Sequence, residues 1–181
     1  ALQDGAVDML ALGLQPHDIQ ANATLGAAGE FSFQLSGRSG EGTFESAGRF
    51  ESGGDGVEGR ATLKGQDMLL ANLAEAQVAA SPDLRFRYSG RELAIAGDVE
   101  IPFARITELG GATTVSTSPD EVLVGTGAPG RDEDMQVTSR VRVSVGPDVQ
   151  VDAAGLRGSV EGEILTVLQP KMLPWGRGEL R

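Results

Sequence analysis

The chain has 181 residues, a net charge of −11, no cysteine, one histidine and only 4% aromatic residues. An acidic chain lacks the basic patch that nucleic-acid backbones and anionic bilayer surfaces select, so no nucleic-acid partner is expected, and the missing thiols exclude a disulfide scaffold and thiolate-bound zinc. The longest apolar runs, such as Met68-Leu-Leu-Ala71, stop far short of the roughly 20 residues of a membrane-spanning helix, and no charged-then-apolar signal peptide opens the sequence.

In chain order the pattern is almost entirely period two. Ile19–Leu25, Phe31–Leu35 and Leu84–Tyr88 alternate apolar and polar without a break, the mark of half-buried strands. Weaker copies with glycine or serine at some inward places are Phe44–Phe50, Val57–Leu63, Leu93–Val99 and Leu156–Ile164, and Val137–Val145 is the most regular late strand. Turn signals separate them at Gly37-Arg-Ser-Gly40, Gly53-Gly-Asp-Gly56, Ser89-Gly90 and Gly146-Pro-Asp148, and x-Pro-Asp, at Pro82, Pro119 and Pro147, reads as turn initiation. Only Gly65–Ala76 offers room for a short turn of helix, because its apolar positions make no clean 3.6-residue stripe. Residues 126–135, rich in glycine and acid, form the best loop. Arg177–Arg181 reads as another strand stopping without a turn, and Ala1–Asp4 has neither an initiator methionine nor a cap. The chain is therefore expected to be one elongated domain, residues 1–181, of a larger β-rich protein, with an internal break at 126–135.

The fold class is all-β, an antiparallel meander. No long amphipathic helix is available to cover the sheet, so its apolar faces must meet each other in a sandwich, a barrel or a sheet curled lengthwise into a half-pipe. Sandwiches are the commoner solution, but few aromatics and many inward Ala, Gly and Val residues make one hard to fill. A dozen strands at ~4.8 Å would make a half-pipe on the order of 55 to 60 Å long.

Chemistry-bearing constellations are sparse. His17 follows Pro16 with no nucleophile elbow anywhere, and reads as a surface turn histidine. Gly37–Gly42 has close glycines without phosphate-loop spacing. Asp132-Glu-Asp134, or Asp148 with Asp152, has oxygen ligands for calcium but not the spacing of a dedicated loop, and solvated charge is the plainer reading. Glu161 and Glu163 stand two apart on one strand face, about 6 to 7 Å, near the separation of glycosidase carboxylates, yet outward charge explains them. Trp175, between Pro174 and Gly176, reads as packing. No catalytic residue, metal or cofactor is expected, so the chain is read as non-enzymatic.

The distinctive segment is Val99–Val124. Pro102 lacks an N–H and belongs at an edge or a bulge, with Gly110, Gly111 and Ser118-Pro-Asp120 supplying reversals. Ile101-Pro-x-Ala-x-Ile106, Leu109, then Val115-x-x-Ser-x-Asp-x-Val-x-Val124 resembles the C-terminal-domain family of TamB, the translocation and assembly module subunit. The likeness is best from Gly65 to Val124 and continues through Val149-Gln-Val151, Gly155-Leu156 and Gly162-Glu-Ile164. Gly110 stands where the family often has proline, and the Ile106–Leu109 gap is short.

The resemblance implies a periplasmic, inner-membrane-anchored rod in a Gram-negative bacterium, of the AsmA-like group, meeting the outer-membrane barrel TamA. This segment, itself soluble, is then a taco-shaped half-pipe with a hydrophobic interior. Its groove shelters lipid acyl chains or unfolded outer-membrane protein strands during outer-membrane assembly and autotransporter secretion. The alternative is a docking or chaperone module pairing strands with TamA or clients. Alternation nominates as groove lining Phe31, Phe33, Leu35, Phe44, Phe50, Leu63, Leu84, Phe86, Tyr88, Leu93, Ile95, Val99, Ile101, Val141, Val143, Val145, Val160 and Ile164.

Overall fold

A computed structural model describes residues 2–26, 29–53, 56–107, 135–153, 156–170 and 172–181. They form a 12-stranded sheet: β1 (Leu2–Gly5), β2 (His17–Leu25), β3 (Glu30–Ser39), β4 (Gly42–Gly53), β5 (Gly56–Gln66), β6 (Met68–Asn72), β7 (Ala76–Ser89), β8 (Glu92–Ile106), β9 (Gln136–Ala153), β10 (Leu156–Ser159), β11 (Gly162–Leu168) and β12 (Trp175–Leu180). The spatial order is β1-β2-β3-β4-β5-β7-β8-β9-β11-β12, with β6 beside β7 and β10 beside β9. The sheet is neither closed on itself nor strongly curled, which excludes the sandwich and the barrel. Ten strands on the main path at ~4.8 Å span roughly 45 Å rather than 55 to 60 Å, because β6 and β10 lie alongside and add no length.

All-β alternation is as expected, and the unbroken alternating runs fall inside β2, β3 and β7. The meander is mostly antiparallel, with one correction: β8 and β9 pair in parallel, Glu92 opposite Gln136 through Ile106 opposite Val151. A parallel neighbour cannot be joined by a tight hairpin, so the strand directions depart from a pure meander there while the order β7-β8-β9 stays sequential. The helical turn is also corrected. Met68–Asn72 pairs with β7 as a strand, and the one 3-10 turn among the described residues is Leu10–Leu12. Gly146-Pro-Asp148 and Pro82 are not turns, since both lie inside strands, β9 and β7. Leu156–Ile164 is two strands separated by Val160 and Glu161. Pro119, Gly110, Gly111, Leu109, Val115–Val124 and 126–134 lie outside the described residues.

Pro102 sits at a bulge in the sheet interior. From Ser81↔Glu100 to Ala79↔Phe103, β7 advances two residues while β8 advances three. From Ile101↔Val145 to Phe103↔Asp148, β8 advances two while β9 advances three. Similar offsets occur in β1 between Leu2 and Gly5 and in β2 between His17 and Gln20, and β5 gives way to β6 at Asp67. Among the described residues the three non-glycine residues with positive φ, Asp4, Asp18 and Asp67 at 53, 53 and 49°, all sit at these places; Asp tolerates that conformation better than most residues. The irregularities form one oblique line across the sheet, and bulges bend the strands that carry them.

The buried core follows that line. Ile19, Ala79, Ala80, Ala104 and Val149 are buried within two residues of an irregularity in sequence. β6 turns off there over the end of the β3–β4 hairpin, where the Ser39 hydroxyl donates to the Leu69 carbonyl at 2.7 Å.

Candidate functional site

Residues directly opposite one another in a ladder share a face, so the registers fix which side chains assemble. The row nearest the hairpin ends is Leu25, Phe31, Phe50, Gly59, Tyr88, Leu93 and Val137. The next holds Ala23, Phe33, Gly48, Ala61, Phe86, Ile95, Ser139 and Leu168. A third runs Ala21, Leu35, Ser46, Leu63, Leu84, Gly97, Val141 and Thr166. Below these come Gly37, Phe44 and Gly65, then Pro82, Val99, Val143 and Ile164, and finally Ile101 with Val145.

Every expected lining residue except Val160 falls in these rows. Val160 lies in the gap between β10 and β11, its N–H donating to the Val149 carbonyl at 2.9 Å. Leu25, Val137 and Leu168 share the face as well, each on the apolar side of the alternation of its own strand. No charged side chain belongs to any row. The hydroxyls of Ser46 and Thr166 turn back to the Thr62 and Val141 carbonyls at 2.8 and 3.0 Å. Most of these residues are half-buried, covered by one another, and no second layer covers them among the described residues. Rows two residues apart make the strip roughly 27 Å wide.

The opposite face is polar. Lys64 lies 3.9 Å from Asp83, and Arg142 reaches Asp98 at 3.6 Å and Glu163 at 3.5 Å. Shallow hollows of about 450 and 590 Å³ lie between such side chains, the first beside Gln20, Asn22, Gln34 and Lys64, the second beside Arg49, Glu58, Arg60 and Arg87. They mark gaps in a charged lattice, and beside the second the Ser89 hydroxyl donates to Glu58 Oε1 at 3.3 Å. His17 opens β2 rather than occupying a turn, its Nε2 3.9 Å from an Asp18 oxygen. Asp152 instead holds Arg157, its hydrogen bond and charge raising the guanidinium's already high pKa. Among the described residues no group of three or more His, Asp or Glu comes together as a metal cage. Asp132–Asp134 lie outside the described residues. Trp175 opens the edge strand β12 and is half exposed.

The family model described as the TamB C-terminal domain matches residues 33–179. The translocation and assembly module subunit TamB of Haemophilus influenzae is 30% identical over 109 residues, 53% of this chain and 8% of that protein. The chain thus spans under a tenth of this relative's length. No solved structure matches.

Proposed function

We propose, for a chain that belongs to the TamB C-terminal-domain family, that it is a non-enzymatic periplasmic segment of a bridge from inner to outer membrane. Its apolar face shelters lipid acyl chains from water during outer-membrane assembly and autotransporter secretion. In this reading residues 1–181 are one elongated domain of a protein anchored in the inner membrane, and the sheet supplies one wall of a half-pipe with a hydrophobic interior. The observation that carries the reading is the continuous apolar face from β2 to β11, free of charge and, among the described residues, without a covering layer. Burial at about 0.8 kcal/mol per CH₂ gives a sixteen-carbon chain roughly 10 kcal/mol before ordering costs.

The same face favours an acyl chain over an unfolded polypeptide. A strand laid on it brings N–H and C=O groups that apolar side chains leave unsatisfied, each costing a few kcal/mol. Ile95→Arg and Val143→Arg place a charge among the rows. Each is expected to fold by circular dichroism yet lose co-purifying phospholipid in native mass spectrometry and fail complementation. Full retention of lipid and function by both overturns the proposal.

Strand pairing with TamA or a client is the second reading, and one observation favours it. β12 is exposed along its whole length, with Leu173 87% exposed beside it, and its outer edge has no strand partner among the described residues. Edges of this kind recruit extended segments. Backbone-directed crosslinks at β12 rather than at Ile95 or Val143 are the expected signature.

A further inference from the structure

The polar face of this acidic chain carries a basic strip. Arg49, Arg60 and Arg87 stand directly opposite one another on β4, β5 and β7, and Arg85, two residues from Arg87, faces Thr62 in the next row. From β2 to β9 neither of these two rows holds a carboxylate. Like charges directly opposite one another destabilise a sheet, so the placement costs stability in the unliganded chain. All four side chains are exposed, and among the described residues none of their guanidiniums has a hydrogen-bond or ion-pair partner. The nearest acids on β5 and β7 are engaged elsewhere. Glu58, one row toward the hairpin ends, accepts from the Ser89 hydroxyl at 3.3 Å, and Asp83, one row to the other side, lies 3.9 Å from Lys64. Arg49, Arg60 and Arg87 line one hollow of about 590 Å³, which Glu51 and Glu58 border on the hairpin side.

We infer that this strip is an anion site whose ligand is a diphosphate group on a narrow molecule. Guanidinium forks match phosphate oxygens two by two. One phosphate brings a charge of about −1.5 to −2, so alone it leaves roughly half of the four positive charges uncompensated. A second phosphate joined to the first closes most of that difference, and the pair reaches forks on adjacent strands, ~4.8 Å apart. The acidic rows set the width. Glu51 and Glu58 on one side and Asp83 on the other repel a flat anionic surface such as a bilayer, and they admit a slender ligand lying across the strands. The strip is on the opposite face from the apolar rows, so it is independent of the sheltering reading.

The test is isothermal titration of the whole chain with inorganic pyrophosphate, orthophosphate and citrate in metal-free buffer, with melting curves alongside. The variants are Arg60→Gln/Arg87→Gln, Arg60→Lys and, on the same face but paired with Asp98, Arg142→Gln. Wild type is expected to bind pyrophosphate more tightly than orthophosphate or citrate, and added salt should weaken it. The double variant should lose at least about tenfold in pyrophosphate affinity, yet melt no lower than wild type without ligand, because it removes opposed like charges. Arg60→Lys keeps the charge and loses the fork, and should weaken pyrophosphate at least about threefold. Arg142→Gln should leave the affinity unchanged. A wild-type chain that binds no pyrophosphate, a double variant that binds it as wild type does, or citrate bound as tightly as pyrophosphate overturns the inference. Flotation with vesicles of phosphatidylcholine and phosphatidic acid is the last arm: wild type should stay unbound, and flotation that the double variant abolishes assigns the strip to a bilayer and overturns the inference.

Discussion

Ser39→Ala tests how the buried corner is fastened. Ser39 is 1% exposed and its hydroxyl donates to Leu69 at 2.7 Å across 30 residues of sequence, tying β6 to the end of the β3–β4 hairpin. Alanine fits the space, so the substitution removes one oxygen and adds no clash. The net hydrogen bond contributes about 0.5–1.5 kcal/mol, and a carbonyl left short of a partner adds to the loss, giving about 1.5–2 kcal/mol. Unfolding entropy near 2.1 cal/mol/K per residue comes to about 0.38 kcal/mol/K over the chain, so the midpoint should fall by about 4 to 5 °C. Hydrogen exchange should quicken in Met68–Asn72 before it does in β8. The control is Ser36→Ala, an exposed residue of the same strand, which should change neither. A midpoint within about 1 °C of wild type, with unchanged exchange in β6, would refute the reasoning, because it would mean that β6 is held by its pairing with β7 alone.

Gly97→Ala places a Cβ 2.0 Å from the Asp83 carbonyl at φ +145°. A clash with backbone in a central strand, added to strain of about 1–3 kcal/mol, should lower the urea midpoint sharply and reduce soluble yield. Pro102→Val should leave the fold intact, since the bulge is set by residue count, whereas deleting Pro102 removes the extra residue and turns Ala104 and Ile106 to the other face. Limited proteolysis should find the deletion variant cut within Phe103–Ile106 and the valine variant resistant there.

The apolar face was legible because alternation is a property of each segment by itself. Phe31, Phe33 and Leu35 announce their side without knowledge of β4, and a register that matches side to side then joins Phe33 to Gly48 and Phe86 to Ile95. What the sequence concealed depends on comparing neighbours. Pro82 and Pro147 read as turn starts under a local rule, yet they sit inside strands, where the stepwise excess of β8 over β7 and of β9 over β8 makes the bulges. β6 was obscured for a similar reason. Met68, Leu69 and Leu70 carry no alternation, and Met68–Asn72 becomes a strand because β7 outlasts β5 and offers Ala79 and Ala80 as partners. Half of the buried apolar core escaped notice because it is small: Ala79, Ala80 and Ala104 are buried, and an alanine carries too little apolar surface to stand out in an alternating pattern.

The oblique line of bulges also divides the mechanical work of the sheet. Among the described residues β7, β8 and β9 run furthest through it with partners on both sides, while β5 hands over to β6 on one flank and β10 and β11 share β9 on the other. Tension applied along the strands is therefore borne by three girders, whose ladders must shear many hydrogen bonds together. Tension applied across the sheet meets short flanking ladders that open one pair after another.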